Sequence, residues 1–63
     1  MLVWAVFAMS MGRETLMHIF DCQEKASLYC KRKASREGLQ YDTPTGRWQR
    51  DNAWLRVEQW HVE

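Results

Sequence analysis

Two cysteines and two histidines are the side chains of this sequence best suited to nucleophilic or metal chemistry. Cys22 lies at the predicted start of a helix, where the positive end of the helix dipole lowers a thiol pKa and favours the reactive thiolate. A nucleophile also needs a base, and neither His18 nor His61 stands at a spacing that would hold it against Cys22. The pattern therefore predicts that Cys22 is a packing residue, and no catalytic residue is assigned.

The same four side chains could hold a metal ion only if distant parts of the chain converged. No C-x-x-C or H-x-x-x-H pair is present to start a chelating site, so no metal ligand is assigned. Gly12, Gly38 and Gly46 are isolated rather than grouped in a phosphate-binding loop. In a chain of 63 residues, a core and a substrate cleft would compete for the same apolar side chains. We therefore expect no cofactor and no enzymatic activity.

Tryptophan and arginine are concentrated in the C-terminal third of the chain. Trp48, Trp54 and Trp60 recur at intervals of six residues, which would place them on one side of a continuous extended chain. Trp is enriched in the hot spots of protein interfaces, and Trp interleaved with Arg can also stack on single-stranded bases and neutralise phosphates. The predicted partner-binding residues are Arg47, Trp48, Arg50, Trp54, Arg56 and Trp60.

The kind of partner, and whether this segment binds a partner at all, stay open. Asp51, Glu58 and Glu63 lie in the same stretch and lower the positive potential that nucleic acid requires, which favours a protein partner. In a purely structural interpretation, two of the three tryptophans cap the core and one is merely exposed. A second basic region, a stripe on the predicted helix beside Leu28, would serve a nucleic-acid partner or remain solvated; it consists of Lys25, Arg32 and Arg36.

Cap and turn residues indicate where the secondary structure begins and ends. Asp21 and Glu24 have the spacing of a capping box, and Gly38 stands where a left-handed C-cap belongs, which together predict a helix over residues 22–37. The apolar residues of segment 2–9 and the β-formers of 15–20, joined by a turn at Gly12, predict a hairpin over residues 2–20. On the predicted helix, Cys22, Ala26, Tyr29, Cys30 and Lys33 share the face that packs on this hairpin, with Ala34 at its margin.

The C-terminal segment completes the predicted fold. Residues 53–62 alternate apolar and polar side chains with a change of phase at Glu58–Gln59, which predicts a strand that rejoins the hairpin with a bulge or with both faces partly covered. A brief strand at 39–41 and a turn at 42–46 precede it. The predicted fold is α+β, a single domain over 1–63 with a three- to four-stranded antiparallel or mixed sheet and one helix on one face, in the order β-β-α-(β)-β.

Composition and cysteine spacing limit the partners and the compartment. A formal charge of +1 gives no overall field for nucleic acid or an anionic membrane. The apolar run at 2–9 is far shorter than the ~20 residues that span a bilayer, so no membrane partner is expected. Cys22 and Cys30 would lie ~12 Å apart along a helix, whereas a disulfide tolerates roughly 7 Å between Cα atoms. Two unpaired thiols are typical of a reducing cytosol.

Three segments carry a resemblance to a known group of proteins. They are the apolar strand Val3–Phe7, the helix start Ile19–Ala26 with its aromatic-Asp-x-x-Glu-Lys-Ala pattern, and the closing strand Val57–Val62 with its Glu-Gln-Trp-x-Val pattern. With these segments the chain resembles small proteins of tailed bacteriophages and prophages with a β-β-α-β layout. The matching motifs are structural, no catalytic residue carries over, and the segments Ser10–Glu14 and Tyr41–Asn52 match nothing in the group.

The resemblance implies a role in host takeover or defence evasion. Some proteins of this group bind and block a host protein such as a defence nuclease, a CRISPR effector, a toxin or RNA polymerase. The predicted function is therefore a non-enzymatic phage or prophage inhibitor of a host protein, located in the host cytoplasm. The alternative is a small nucleic-acid-binding module that uses Trp and Arg stacking, and a second alternative is a homo-oligomeric structural protein, for example a homodimer.

Overall fold

The computed structural model describes all 63 residues, Met1–Glu63. The elements follow in the order β1 (Leu2–Ser10), β2 (Arg13–Phe20), α1 (Gln23–Glu37), β3 (Gln40–Asp42), β4 (Arg47–Arg50) and β5 (Ala53–His61). The strands form one antiparallel sheet with the spatial order β2-β1-β5-β4-β3, and α1 packs on one face of it. The α+β class is confirmed. The prediction of three to four strands is too low, because β4 adds a fifth.

The predicted hairpin is present and is tighter than expected. β1 and β2 are joined by the two residues Met11 and Gly12, whose φ angles of 53° and 78° are both positive, as in the hairpin turns whose twist matches that of the strands. The pairing of β1 with β2 shifts between Val6 and Phe7, so the bulge lies in this hairpin. β5 pairs with β1 without interruption from Leu2↔His61 to Met9↔Trp54. β5 therefore has no bulge at Glu58–Gln59, and its apolar residues change parity because both faces of the strand are partly covered.

The helix begins one residue later than the capping-box prediction requires. Cys22 is the N-cap, with φ −147° and ψ 153°, and no side chain caps the helix. Asp21 therefore precedes the cap, and its carboxylate accepts a hydrogen bond from Lys25 Nζ at 3.0 Å instead. This hydrogen bond from Lys25 lowers the pKa of Asp21. The predicted Asp21–Glu24 capping box is thus wrong, whereas the predicted stop is confirmed, since Gly38 is left-handed and its N–H donates to the Ala34 carbonyl.

The core lies between α1 and the middle of the sheet. Ala26, Cys30 and Ala34 form the buried line of the helix and meet Val6 of β1 and Leu55 of β5. Small helix residues allow the close approach that the sequence predicts. Half-buried apolar residues surround this cluster: Trp4, Ala8, Phe20, Tyr29, Leu39, Trp48 and Val57. The core is therefore thin, with 7 of 63 residues buried in the whole chain.

The helix is also short. α1 lacks the length and the apolar character that a membrane-spanning helix requires.

Gly38→Ala should lower the free energy of unfolding by about 1–2 kcal/mol, the cost of a left-handed conformation for a residue with a Cβ. Gly38 has a φ of 73°, and a Cβ there would lie 2.8 Å from Arg50 Nη1. Gly12 has a similar φ of 78° but nothing within 4 Å of its Cβ position, so Gly12→Ala measures the backbone cost alone. Urea denaturation should show the larger loss for Gly38→Ala, with the excess removed in an Arg50→Ala background. Equal losses at the two glycines would show that Arg50 simply moves aside.

Candidate interaction surface

The sheet has one face covered by α1 and one face that no element of the chain covers. The covered face carries Val6 and Leu55, so the alternating residues Phe7 and Arg56, which pair across β1 and β5, point to the other side. We call this uncovered side the open face. Its main residues are Val3, Ala5, Phe7 and Met9 on β1, Glu14, Leu16 and Ile19 on β2, Arg47 and Gln49 on β4, and Trp54, Arg56, Glu58 and Trp60 on β5.

Arg56 is at the centre of the polar contacts on the open face. Its Nε donates to Oε2 of Glu14 and its Nη2 to Oε1, both at 3.2 Å, and its Nη1 donates to Glu58. The guanidinium carbon lies 4.4 Å from the ring centroid of Phe7. The hydrogen bonds to Glu14 and then to Glu58 raise the pKa of Arg56. The arginine is therefore fixed in orientation, and its charge is balanced within the protein.

Two tryptophans flank Arg56 along β5. Trp60 Nε1 donates to Glu58 at 2.8 Å, and its ring centroid lies 5.8 Å from that of Phe7. The hydrogen bond from Arg56 and then that from Trp60 lower the pKa of Glu58. At the other end of the strand, the guanidinium carbons of Arg47 and Arg56 lie 4.6 Å and 5.8 Å from the Trp54 ring centroid. Both indoles are half-buried, so each is held in place while part of its surface stays in solvent.

The structure separates the six predicted partner-binding residues into two groups. Arg47, Trp54, Arg56 and Trp60 lie together on the open face. Trp48 and Arg50 lie on the covered face, because the chain reverses at 51–52 and β4 pairs with β5 in the register Trp48↔Leu55 and Arg50↔Ala53. The prediction that the three evenly spaced tryptophans share one side is wrong, since it requires a continuous extended chain.

Trp48 and Arg50, the two predicted partner-binding residues on the covered face, contact other parts of the chain. Trp48 packs against the core and meets Tyr41 of β3 edge to face, with ring centroids 4.9 Å apart. Arg50 lies beside Gly38, and its Nε is 3.8 Å from a carboxylate oxygen of Asp51. The structural interpretation therefore holds for Trp48, which caps the core, and not for Trp54 and Trp60.

Sequence reasoning missed the parts of the open face that come from the hairpin. Phe7 and Glu14 hold Arg56 from strands that are remote from it in sequence. Leu16 and Ile19 of β2 are 44% and 45% exposed and extend the apolar area to the edge of the sheet. No local signal could have assigned Glu14 to Arg56, since their contact depends on β1 lying between β2 and β5.

The residues considered for catalysis do not form a site around Cys22 or Cys30. His18 packs among rings on the covered side, with its centroid 4.3 Å from Phe20 and 6.0 Å from Tyr29. His61 is exposed at the end of β5. Cys30 is fully buried, and burial raises the pKa of its thiol to about 11, which opposes thiolate formation. No group of three or more His, Cys, Asp or Glu side chains is arranged to hold a metal ion.

The basic stripe lies on a different part of the surface. Lys25, Arg32 and Arg36 line a groove of about 760 Å³ on the solvent side of α1, together with Phe20, Leu28, Tyr29 and Ser35. Lys25 is paired with Asp21, whereas Arg32 and Arg36 form no ion pair. The two arginine-containing surfaces therefore differ, because Arg56 of the open face is paired with carboxylates whereas Arg32 and Arg36 of the groove are not.

The charge of the open face limits what it can bind. Arg56 is paired with both Glu14 and Glu58, and Arg47 donates to the neutral Gln49, so the two glutamates offset the two arginines and the face has little positive potential to offer a phosphate backbone. Its fixed aromatic rings and exposed aliphatic side chains are the features found at protein interfaces. No protein-family model matches the chain, and no curated protein or solved structure is significantly similar to it. Function is therefore argued from the surface itself.

Proposed function

We propose that this chain is a non-catalytic interaction domain that binds a partner protein through its open face and inhibits it. The observation that carries the proposal is the pair of half-buried indoles, Trp54 and Trp60, fixed on either side of Arg56 on an uncovered sheet face. Following the resemblance to phage and prophage proteins, the partner that we propose is a host protein in the host cytoplasm. Binding that covers the partner's active or assembly surface is sufficient for inhibition and needs no chemistry from this chain.

The preorganised side chains favour binding. A partner that docks on the open face would find Trp60 held by Glu58 and Arg56 held by Glu14, so few rotamers remain to be frozen. The charged groups are already paired, which lowers the cost of taking them out of water. Sheet geometry gives the face an area on the order of 600 Å², close to the ~800 Å² per partner of a standard interface. Leu16 and Ile19 at the edge would supply part of the remainder.

The two alternatives would use the same face, and its charges disfavour only one of them. A nucleic-acid strand would have to compete with Glu14 and Glu58 for Arg56, and this competition would leave two carboxylates facing phosphates. A homodimer would suffer no net charge repulsion across this balanced face, so the same surface could pair with its symmetry mate. The experiment below distinguishes all three.

The experiment combines site-specific cross-linking with affinity measurement. A photo-reactive amino acid at Leu16, on the open face, should cross-link to one host protein, whereas the same amino acid at Thr43, in the exposed turn between β3 and β4, should not. With that protein purified, Trp54→Ala and Trp60→Ala should each weaken binding by about thirtyfold, the effect of losing an interface hot spot. Met11→Ala, in the exposed turn between β1 and β2, is the control and should leave the affinity unchanged. An assay of the partner's own activity then tests inhibition.

Each alternative has its own outcome in this experiment. Cross-links between two copies of the chain, with a melting temperature that rises with concentration, would favour the homo-oligomer. Binding to single-stranded DNA that weakens steeply with salt and depends on Trp54 would favour the nucleic-acid module. If folded Trp54→Ala and Trp60→Ala variants bind the cross-linked protein as well as the wild type does, the open face is not the binding surface and the proposal fails.

A further inference from the structure

The outer side of α1 carries a second surface with a different charge. The groove introduced above, which we call the basic groove, is lined by Lys25, Arg32 and Arg36 and by no carboxylate side chain. Leu28 lies among these cations and is 48% exposed. Arg32 and Arg36 therefore leave unpaired positive charge around Leu28, although the formal charge of the whole chain is only +1, so the charge is segregated on this side of the helix.

The two arginines of the basic groove are free to accept a partner. Elsewhere in the chain, Arg56 forms ion pairs with Glu14 and Glu58, and Lys33 Nζ lies 3.0 Å from a carboxylate oxygen of Glu37. Arg32 and Arg36 are exposed, one helical turn apart, and have no acidic neighbour of this kind. A guanidinium binds a carboxylate through two parallel hydrogen bonds, so two such groups in a row are suited to carboxylates spaced along a chain.

We propose that the basic groove binds an acidic peptide segment of a partner protein, with an apolar side chain of the segment against Leu28 and carboxylates on Arg32 and Arg36. The lining runs from Lys25 to Arg36, about 16 Å at 1.5 Å per helical residue. An extended peptide covers that distance with roughly five residues at 3.3 Å each. A short segment that alternates acidic and apolar residues therefore fits both the length and the charge of the groove.

The rings beside the groove favour a peptide over a nucleic acid. Tyr29 is stacked on His18 with an interplanar angle of 22°, and its centroid lies 5.5 Å from that of Phe20. These contacts occupy the rings on which bases would stack, and stacking supplies much of the affinity for single strands. The most exposed apolar side chain in the groove is Leu28, which is aliphatic and better matched to an aliphatic or aromatic side chain of a peptide than to a nucleic-acid base.

The test uses a fluorescent synthetic peptide in which single leucines alternate with glutamates. Fluorescence anisotropy should show saturable binding to the folded chain, and a peptide with glutamine in place of every glutamate should not bind. Arg32→Gln combined with Arg36→Gln should weaken binding by about tenfold, since each exposed ion pair contributes up to roughly fivefold. The matched control, Arg13→Gln combined with Lys31→Gln, removes the same charge outside the groove and should change the affinity by less than twofold.

Further arms separate the peptide from other anionic partners. Leu28→Ala should weaken peptide binding severalfold, and a Trp54→Ala, Trp60→Ala variant should bind the peptide normally, so this result is independent of the open face. Tighter binding of a single-stranded oligonucleotide or of phosphatidylserine vesicles than of the peptide would overturn the proposal in favour of that ligand. Equal binding by the Arg32, Arg36 variant and the charge-matched control would show that the groove is a solvated surface. The substituted positions in the groove and in the charge control are exposed, and circular dichroism verifies that each variant is folded.

Discussion

Leu55→Ala should lower the free energy of unfolding by about 3 kcal/mol, the middle of the range for deleting a buried leucine side chain. Leu55 is 1% exposed and touches both the helix and the neighbouring strands of the core. Few other side chains can fill the space, because its partners on α1 are alanines and a cysteine. A domain of this size has a total stability of roughly 3–9 kcal/mol, so the variant should be partly unfolded at physiological temperature.

Trp54→Ala is the informative comparison, because Trp54 precedes Leu55 on the same strand and points to the opposite side. Its ring lies under Arg47 and Arg56 at the surface, and losing these contacts should cost about 1 kcal/mol. Urea denaturation of both variants measures the difference directly. If Trp54→Ala cost as much as Leu55→Ala, the open face would have to be as well buried as the core in the free protein. Such a result would show that a second copy already covers it.

The hairpin and the helix could be predicted from the sequence because their signals are local. A continuous apolar run, a glycine in the hairpin turn and a helix segment without Gly or Pro depend on neighbouring residues alone. Gly38 predicts the helix end correctly, since few other residues adopt its left-handed conformation. The predicted N-cap lies one residue too early, because Cys22 holds the N-cap position and the Asp21 carboxylate accepts a hydrogen bond from Lys25 instead of capping the helix.

β4 could not be predicted in the same way. Arg47–Arg50 has four residues with a single large apolar side chain, so it has neither the length nor the alternation of an independent strand. It exists because Trp48 pairs with Leu55 after a reversal at 51–52. That reversal also explains why tryptophans at equal spacing lie on different faces.

The part of the open face that lies on β5 could be predicted from the sequence. Trp54, Arg56 and Trp60 differ by even numbers of residues on β5, so alternation alone gathers them on one side. Glu14 reaches Arg56 only through the order of three strands. Side chains that one strand supplies can be assigned from sequence, whereas contacts between strands require the register.

Cys30→Ala should remove a loss of stability that the wild-type protein shows between pH 9 and pH 11. Burial raises the pKa of the Cys30 thiol from 9.0 to about 11 in the folded chain. Above pH 9 the thiol ionises in the unfolded chain but stays protonated in the folded one, so rising pH favours unfolding until the folded thiol also ionises. At 1.36 kcal/mol per pH unit, the wild type should lose about 2–3 kcal/mol across this window.

The Cys30 contribution is isolated by comparing variants rather than by the wild-type curve alone. The other ionisable groups are common to both cysteine variants, so their contributions cancel in the difference between two pH profiles. Cys22→Ala removes the half-buried thiol and should leave the decline in place, whereas Cys30→Ala should flatten it, as measured by urea denaturation at each pH. Thiolate absorbance in the ultraviolet gives an independent titration of Cys30 in the Cys22→Ala variant. A decline of equal size in both variants would mean that the small-residue face of α1 does not seal Cys30 from water, and that the core is looser than the contacts of Ala26 and Ala34 indicate.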